Sequence, residues 1–170
     1  RQGAMSSFLP DVLTRIGEAL GLSAQARRQA LAGSLLLSAD NGHAVHPNFP
    51  EKADPANKVY PNGGVVIKYS ANQKYTTTGL TAGLFQAICQ KAGVPVQVFA
   101  NRADEPGGST LGNLLGHQVS IPMVDIAMAQ LAMHSAVETA GSRDPEYMAR
   151  ACAAFFQAEF TQTADGVYQF

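Results

Sequence analysis

Charge is scarce in this sequence. Only 15% of its residues are Asp, Glu, Lys or Arg, against roughly 25% in an average soluble domain. The net charge of -1 comes from 12 basic and 13 acidic residues, and the basic residues form no run longer than Arg27-Arg28. That excludes tracking of nucleic acid by charge, which needs Lys and Arg clustered on one face. Long hydrophobic runs are missing too. The longest, around Leu35-Leu36-Leu37 and Val65-Val66-Ile67, fall far short of the ~20 apolar residues that cross a bilayer. No signal peptide is read at the start, and no Asn-x-Ser/Thr acceptor occurs. Neither nucleic acid nor membrane is expected as a partner, and the expected location is cytoplasmic. Cysteine is limited to Cys89 and Cys152, far apart and without CxxC or metal spacing. They read as two buried reduced thiols; a disulfide stays open, but nothing demands an oxidising compartment. Also absent are a Walker loop, a GxGxxG after a strand, HExxH and a GxSxG elbow.

What is present is enough for a core. The apolar fraction is 46% of 170 residues, which excludes disorder as the main description. A domain of this length buries roughly 70% of its unfolded surface. The chain opens at Arg1 instead of Met, which reads as a fragment, a processed chain or an expression remnant. Helix and strand patterns then alternate. Pro10 and Asp11 stand in a first helical turn, with Val12, Leu13, Ile16 and Leu20 on one face. Ser23 caps a second helix that Gly33 ends. Ser34 to Ala39 reads as a buried strand running into Asp40. Residues 41–64 carry four prolines and no periodicity, too long for an idle connection and so a functional loop or lid. Val65–Tyr69 and Val94–Ala100 read as strands around a helix spaced by Leu80, Leu84 and Ile88. A short helix over 109–118 and a strand through Val124-Asp125-Ile126-Ala127 follow. A last helix opens at Asp144-Pro145 with Tyr147, Met148, Cys152, Phe155 and Phe156 inward. The fold class is α/β, a mixed, mainly parallel sheet flanked by helices. Residues 1–160 form the folded unit and 161–170 a frayed polar tail.

The candidate chemistry starts at Ser38-Ala39-Asp40-Asn41-Gly42-His43-Ala44-Val45-His46-Pro47-Asn48. A carboxylate at a strand's C-terminal end, followed by two histidines, sits where α/β folds place their sites. Carboxylate oxygen and imidazole nitrogen both suit zinc, though a hydrogen-bonded loop without metal explains the same residues. His134 follows another strand, either as a ligand or as a structural histidine. Gly107-Gly108-Ser109-Thr110 opens a helix, where exposed N–H groups favour an anion; a turn with a Ser cap is the other reading. Lys68 and Tyr75 flank the strand beside the loop and by default belong to the surface or the rim.

Together these residues resemble the aspartyl aminopeptidases, zinc metallopeptidases with a co-catalytic metal pair. The resemblance rests on the 38–48 run with Gly64-Val65-Val66-Ile67-Lys68, Gln73-Lys74-Tyr75, Gly108-Ser109-Thr110-Leu111-Gly112 and Leu131-Ala132-Met133-His134-Ser135. It extends in order from residue 1 to about 160, and Gln2-Gly3-Ala4 is similar to the segment after the family's Glu-Glu pair. The resemblance implies that Asp40 binds one zinc and His134 the other, with other divalent metals as substitutes. It implies that His43 and Tyr75 line the substrate site, and that Lys68 meets the acidic side chain of an N-terminal Asp or Glu. A point positive charge in a partly dry pocket does select a carboxylate. Gly108, Ser109 and Thr110 correspond to a tight turn by the substrate. Where the family commonly has Pro-Cys-Gly, this chain has Pro106-Gly107-Gly108, which should loosen that turn.

The resemblance also implies what lies elsewhere. A first histidine, a bridging aspartate, a metal-binding glutamate and the general-base glutamate have no counterpart in this chain. No catalytic residue is therefore assigned, and the chain alone is expected to be inactive. Its expected partners are the N-terminal half of the same enzyme, peptides beginning with Asp or Glu, and further copies in a homo-oligomer. Two alternatives stand beside this: a non-catalytic binding or interaction protein that retains half of the fold, and a mononuclear metal hydrolase using Asp40, His43 and His46.

Overall fold

The computed structural model describes residues 3–164 and 166–169. A 3₁₀ turn at Gly3–Met5 leads into helices α1 (Phe8–Ala19) and α2 (Ala24–Ala32). The Ser23 hydroxyl accepts from the Ala26 N–H at 3.1 Å and satisfies one orphan donor of α2. Strand β1 (Leu36–His43) enters a long segment that contains a 3₁₀ turn at Pro50–Lys52. Then come β2 (Val65–Tyr69), α3 (Gly79–Lys91), β3 (Val96–Ala100), α4 (Leu111–Gly116), β4 (Met123–Leu131), β5 (Thr139–Ala140) and α5 (Asp144–Gln157). Helix α3 starts at a reciprocal cap: Thr78 Oγ1 accepts from Thr81 N–H, and Thr81 Oγ1 accepts from Thr78 N–H.

The sheet runs β1-β4-β2-β3, with β5 paired to the end of β4. β1 is parallel to β4 and β2 is parallel to β3, while β2 and β4 are antiparallel. The sheet is therefore mixed and mainly parallel, flanked by helices, as the α/β pattern predicts. Strand alternation divides the core in two. Val65, Ile67, Val124 and Ile126 face Ala82, Phe85 and Cys89 of α3 and Ala151 of α5. Val66, Ala127 and Ala129 face the other way, against Ala44 and Val59 of the long segment. Full burial of a side chain such as Phe85 or Ile67 contributes ~1.5–3 kcal/mol, so the helices fix one face. The long segment covers the other, and that face carries the site.

Several expectations change. β1 starts two residues later than expected and runs through Asp40 to His43, because β4 offers a parallel partner along its whole length. Leu20 is 69% exposed and Phe156 84% exposed; neither faces the core in this chain. Arg143, not Asp144, occupies the N-cap of α5, and the Asp144 carboxylate is buried against the Asn62 N–H at 2.8 Å. The tail expected to fray is paired instead: Thr161–Ala164 (β6) and Val167–Gln169 (β7) form a two-stranded hairpin. Both cysteines are free. Burial, and secondarily Cys152, pushes the Cys89 thiol up to about 12, which leaves it protonated and inert. Among the described residues no helix is long and apolar enough to cross a membrane.

Candidate functional site

Register places the site residues. Asp40 is the parallel partner of Ala127, and Val66 is the antiparallel partner of the same residue. Alternation then puts Asp40, Gly42 and Lys68 on the face of Ala127, the face covered by the long segment. Gly42 packs closely on β4: a Cβ there would lie 3.2 Å from Ala127 Cβ, with Lys68 Cδ in ordinary contact at 4.0 Å.

Lys68 is only 5% exposed. Its ammonium donates to the Asn41 carbonyl at 3.2 Å and sits 4.6 Å from the centroid of the Tyr75 ring. No described carboxylate forms an ion pair with it. Burial pulls its pKa below the usual lysine value, against the attraction of Asp40 and Asp125. Tyr75 is buried as well, at 6% exposure. Its phenol oxygen accepts from Asn101 Nδ2 at 3.2 Å, and its ring meets Phe99 at 6.4 Å between centroids. Burial raises the phenol pKa, partly offset by the Asn101 bond. The default reading of both residues as surface or rim groups is corrected: the sheet face encloses them.

Asp40, within β1, and His134, just past the end of β4, are both exposed. Asp40 Oδ1 accepts from its neighbour's N–H, Asn41, at 2.8 Å. His134 has φ 74 and stands two residues after Ala132, with φ 54. Such backbone costs ~1–2 kcal/mol in a residue with a Cβ. The Glu138 carboxylate holds it, accepting from His134 N–H at 2.6 Å and from Gln130 Nε2 at 2.8 Å. His43 lies within reach of the Lys68 and His134 charges. Partial burial, then the Lys68 and His134 charges, lowers its pKa, so it is neutral at neutral pH. A cleft of about 510 Å³ opens beside His43 and is walled by Phe49, Phe99, Asn101 and Met133.

The 107–110 turn divides. Gly108 faces open space, and Ser109 Oγ accepts from Asn113 Nδ2 at 2.7 Å. The N-cap of α4 is Thr110, not Ser109, and its buried hydroxyl has no hydrogen-bond partner among the described residues. Beneath it lies Asp125, wholly buried, which the sequence reading passed over. Its Oδ2 accepts from Thr76 N–H at 2.6 Å and Thr76 Oγ1 at 2.8 Å. An acidic residue inside the apolar run Met123-Val124-Asp125-Ile126 was the available signal. Asn101 and Glu138 were missed for want of any local signal.

Asp40 and His134 supply donor types that suit zinc, an oxygen and an imidazole nitrogen. Yet no three His, Cys, Asp or Glu side chains converge as a metal-holding group among the described residues. The chain offers part of a donor set. The mononuclear reading finds no support among the described residues, where Asp40, His43 and His46 do not form such a group. The His46 ring packs on Phe49 at 5.3 Å, and its Nδ1 accepts from Asn48 N–H at 3.2 Å.

The family model of the aminopeptidase I zinc metalloproteases (M18) matches residues 1–156. A probable M18 family aminopeptidase 2 of Mycobacterium tuberculosis is 44% identical over 160 residues, 94% of this chain and 37% of that protein. The cryo-EM structure of the Ape4 and Nbr1 complex superposes with a TM-score of 0.88 at 42% identity, covering 92% of this chain and 30% of the other. The mApe1 dodecamer of S. cerevisiae gives 0.78 at 28%, covering 92% and 34%. The chain spans 37% of the length of that curated relative.

Proposed function

Because the chain belongs to the M18 family of aminopeptidase I zinc metalloproteases, we propose that it forms the later part of a catalytic unit releasing N-terminal Asp or Glu from peptides. One observation carries the substrate preference. Lys68 holds its amine at 5% exposure with one backbone acceptor and no carboxylate ion-pair partner among the described residues. An uncompensated buried charge is costly, and a substrate side-chain carboxylate would relieve that cost where a neutral side chain would not.

Asp40 and His134 would each hold one of two zinc ions, or other divalent metals in their place, with the remaining donors supplied from outside this chain. Bound zinc supplies Lewis acidity toward the scissile carbonyl and acidifies water. The chain's own residues then do the rest of what it contributes. Lys68 binds and orients the acidic side chain. Neutral His43 and Tyr75 line the substrate, able to exchange hydrogen bonds with it without adding charge. Gly108, Ser109 and Thr110 bring backbone close to the ligand. The general-base glutamate belongs to the remainder of the unit, which is why the chain alone should not turn over. A homo-oligomer is the proposed state of the complete enzyme, in keeping with the dodecameric relative.

A substrate panel tests this. The zinc-loaded full-length protein should cleave N-terminal Glu and Asp about 10- to 100-fold faster, in kcat/KM, than N-terminal Gln or Leu. That is the range a charge-assisted hydrogen bond supports. Lys68→Met should remove most of the difference. A protein that cleaves Leu or Gln as fast as Glu would sink the acidic preference.

A further inference from the structure

We propose that Asn101 is a positioning residue for Tyr75, and that Gly107 is the space that lets it act. The inference rests on the reading that Tyr75 faces substrate. Asn101 follows directly on β3, whose last residue pairs with the last residue of β2. Its side-chain amide donates to the phenol oxygen at 3.2 Å. An amide nitrogen can only donate, so the phenol oxygen is the acceptor there. The Tyr75 proton is left to point elsewhere, and the phenol donates to no described residue. The ring is held independently, under the Lys68 ammonium and against Phe99. What Asn101 adds is direction: Tyr75 meets a ligand as a hydrogen-bond donor.

Gly107 explains how the amide reaches its place. A Cβ at residue 107 would lie 2.4 Å from Asn101 Nδ2 and 2.9 Å from its Cγ. Contacts that short do not occur, and the mobile end of Asn101 would be the part that yields. Gly107→Ala should therefore fold and displace the amide from the phenol. The glycine at this turn works as clearance for Asn101 rather than as a looser hinge.

The test is a mutant cycle in the zinc-loaded full-length protein, run on whichever N-terminal residue the wild type cleaves fastest. Asn101→Ala should lower kcat/KM about tenfold, and Gly107→Ala by a similar factor. Neither change should cost more than about twofold in a Tyr75→Phe background, because Asn101 acts through the phenol. Asn101→Asp keeps the size but turns the donor into an acceptor at neutral pH, so it should be no better than Asn101→Ala. A readout independent of turnover is the ¹³Cζ NMR signal of Tyr75, assigned by its loss in Tyr75→Phe. It should shift in Asn101→Ala and in Gly107→Ala while the melting temperatures stay close to wild type. Full additivity with Tyr75→Phe, wild-type activity in Asn101→Asp, or an unmoved Tyr75 signal would each overturn the proposal. A wild type that prefers a neutral N-terminal residue would remove the acidic reading alone, since the cycle does not depend on that preference.

Discussion

Lys68 shows how a single residue can lower stability in the service of recognition. Its ammonium lies buried with a backbone carbonyl and the Tyr75 face as its only close partners among the described residues. A cation over a desolvated ring gains up to ~2 kcal/mol, which does not cover the cost of an unpaired buried charge. Replacing it by an apolar chain of similar length should therefore stabilise the fold while removing acid recognition. We expect Lys68→Met to raise stability by roughly 1 kcal/mol or more at pH 6–7, measured by urea unfolding. The pH dependence has a definite sign. The folded pKa is depressed, so between that value and the ordinary lysine value the unfolded chain binds more protons and wild-type stability rises with pH. The advantage of Lys68→Met should be full below the folded pKa and shrink as pH climbs toward ~10.4. A stability difference that grows with pH over that range would reverse the account. The resemblance pointed to Lys68 as the acid-binding residue, but its burial was not readable from the local pattern, because one lysine at the end of an apolar strand is ordinarily a solvated end.

At the scale of elements, the legible parts were those whose pattern is self-sufficient. Val65–Tyr69 reads as a strand because the β-formers Val65-Val66-Ile67 bury on both faces, and β2 is found at Val65–Tyr69. Asp40-Asn41-Gly42-His43 carries no such pattern, yet it is strand, because β4 pairs with β1 from Leu36 to His43. That pairing is tertiary, and no local composition announces it. The long segment is likewise held by distant partners. Gln97 donates to the Tyr60 and Gly64 carbonyls and accepts from Tyr60 N–H. Asn62 Oδ1 accepts from Arg143 N–H at 2.8 Å, and Asn62 N–H reaches Asp144. These bonds converge on the residues just before β2, where Gly64 has φ 105 and a Cβ would lie 2.1 Å from the Pro95 carbonyl oxygen. Backbone cannot yield as a side chain does. Gly64→Ala should cost on the order of 3 kcal/mol or more, read as a drop in the urea midpoint at unchanged slope. A loss under 1 kcal/mol would mean that the β2–β3 end is much softer than this packing requires.

At the scale of the molecule, the distribution of donors matters more than any one contact. The sheet has edges at β1 and β3, and Asp40 sits on the β1 edge with its carboxylate exposed. His134 lies past the end of β4, exposed as well. Each is held by its backbone in a strand or a braced turn, so the positions are prepared even though the set is partial. Zinc held firmly by protein takes three or four donors, and its affinity falls steeply as donors are removed. On the proposed reading each ion finds one donor here and the others in the rest of the catalytic unit. The isolated chain should then leave a desalting column with well under 0.1 equivalent of zinc on the order-of-magnitude argument that one ligand does not retain a metal. The full-length protein should retain ions that Asp40→Ala or His134→Ala partly releases. Both quantities are read by elemental analysis, without reference to turnover. Stoichiometric zinc on the isolated chain, lost in Asp40→Ala, would show that the site is complete within these residues, and the division of labour between this chain and the remainder would have to be abandoned.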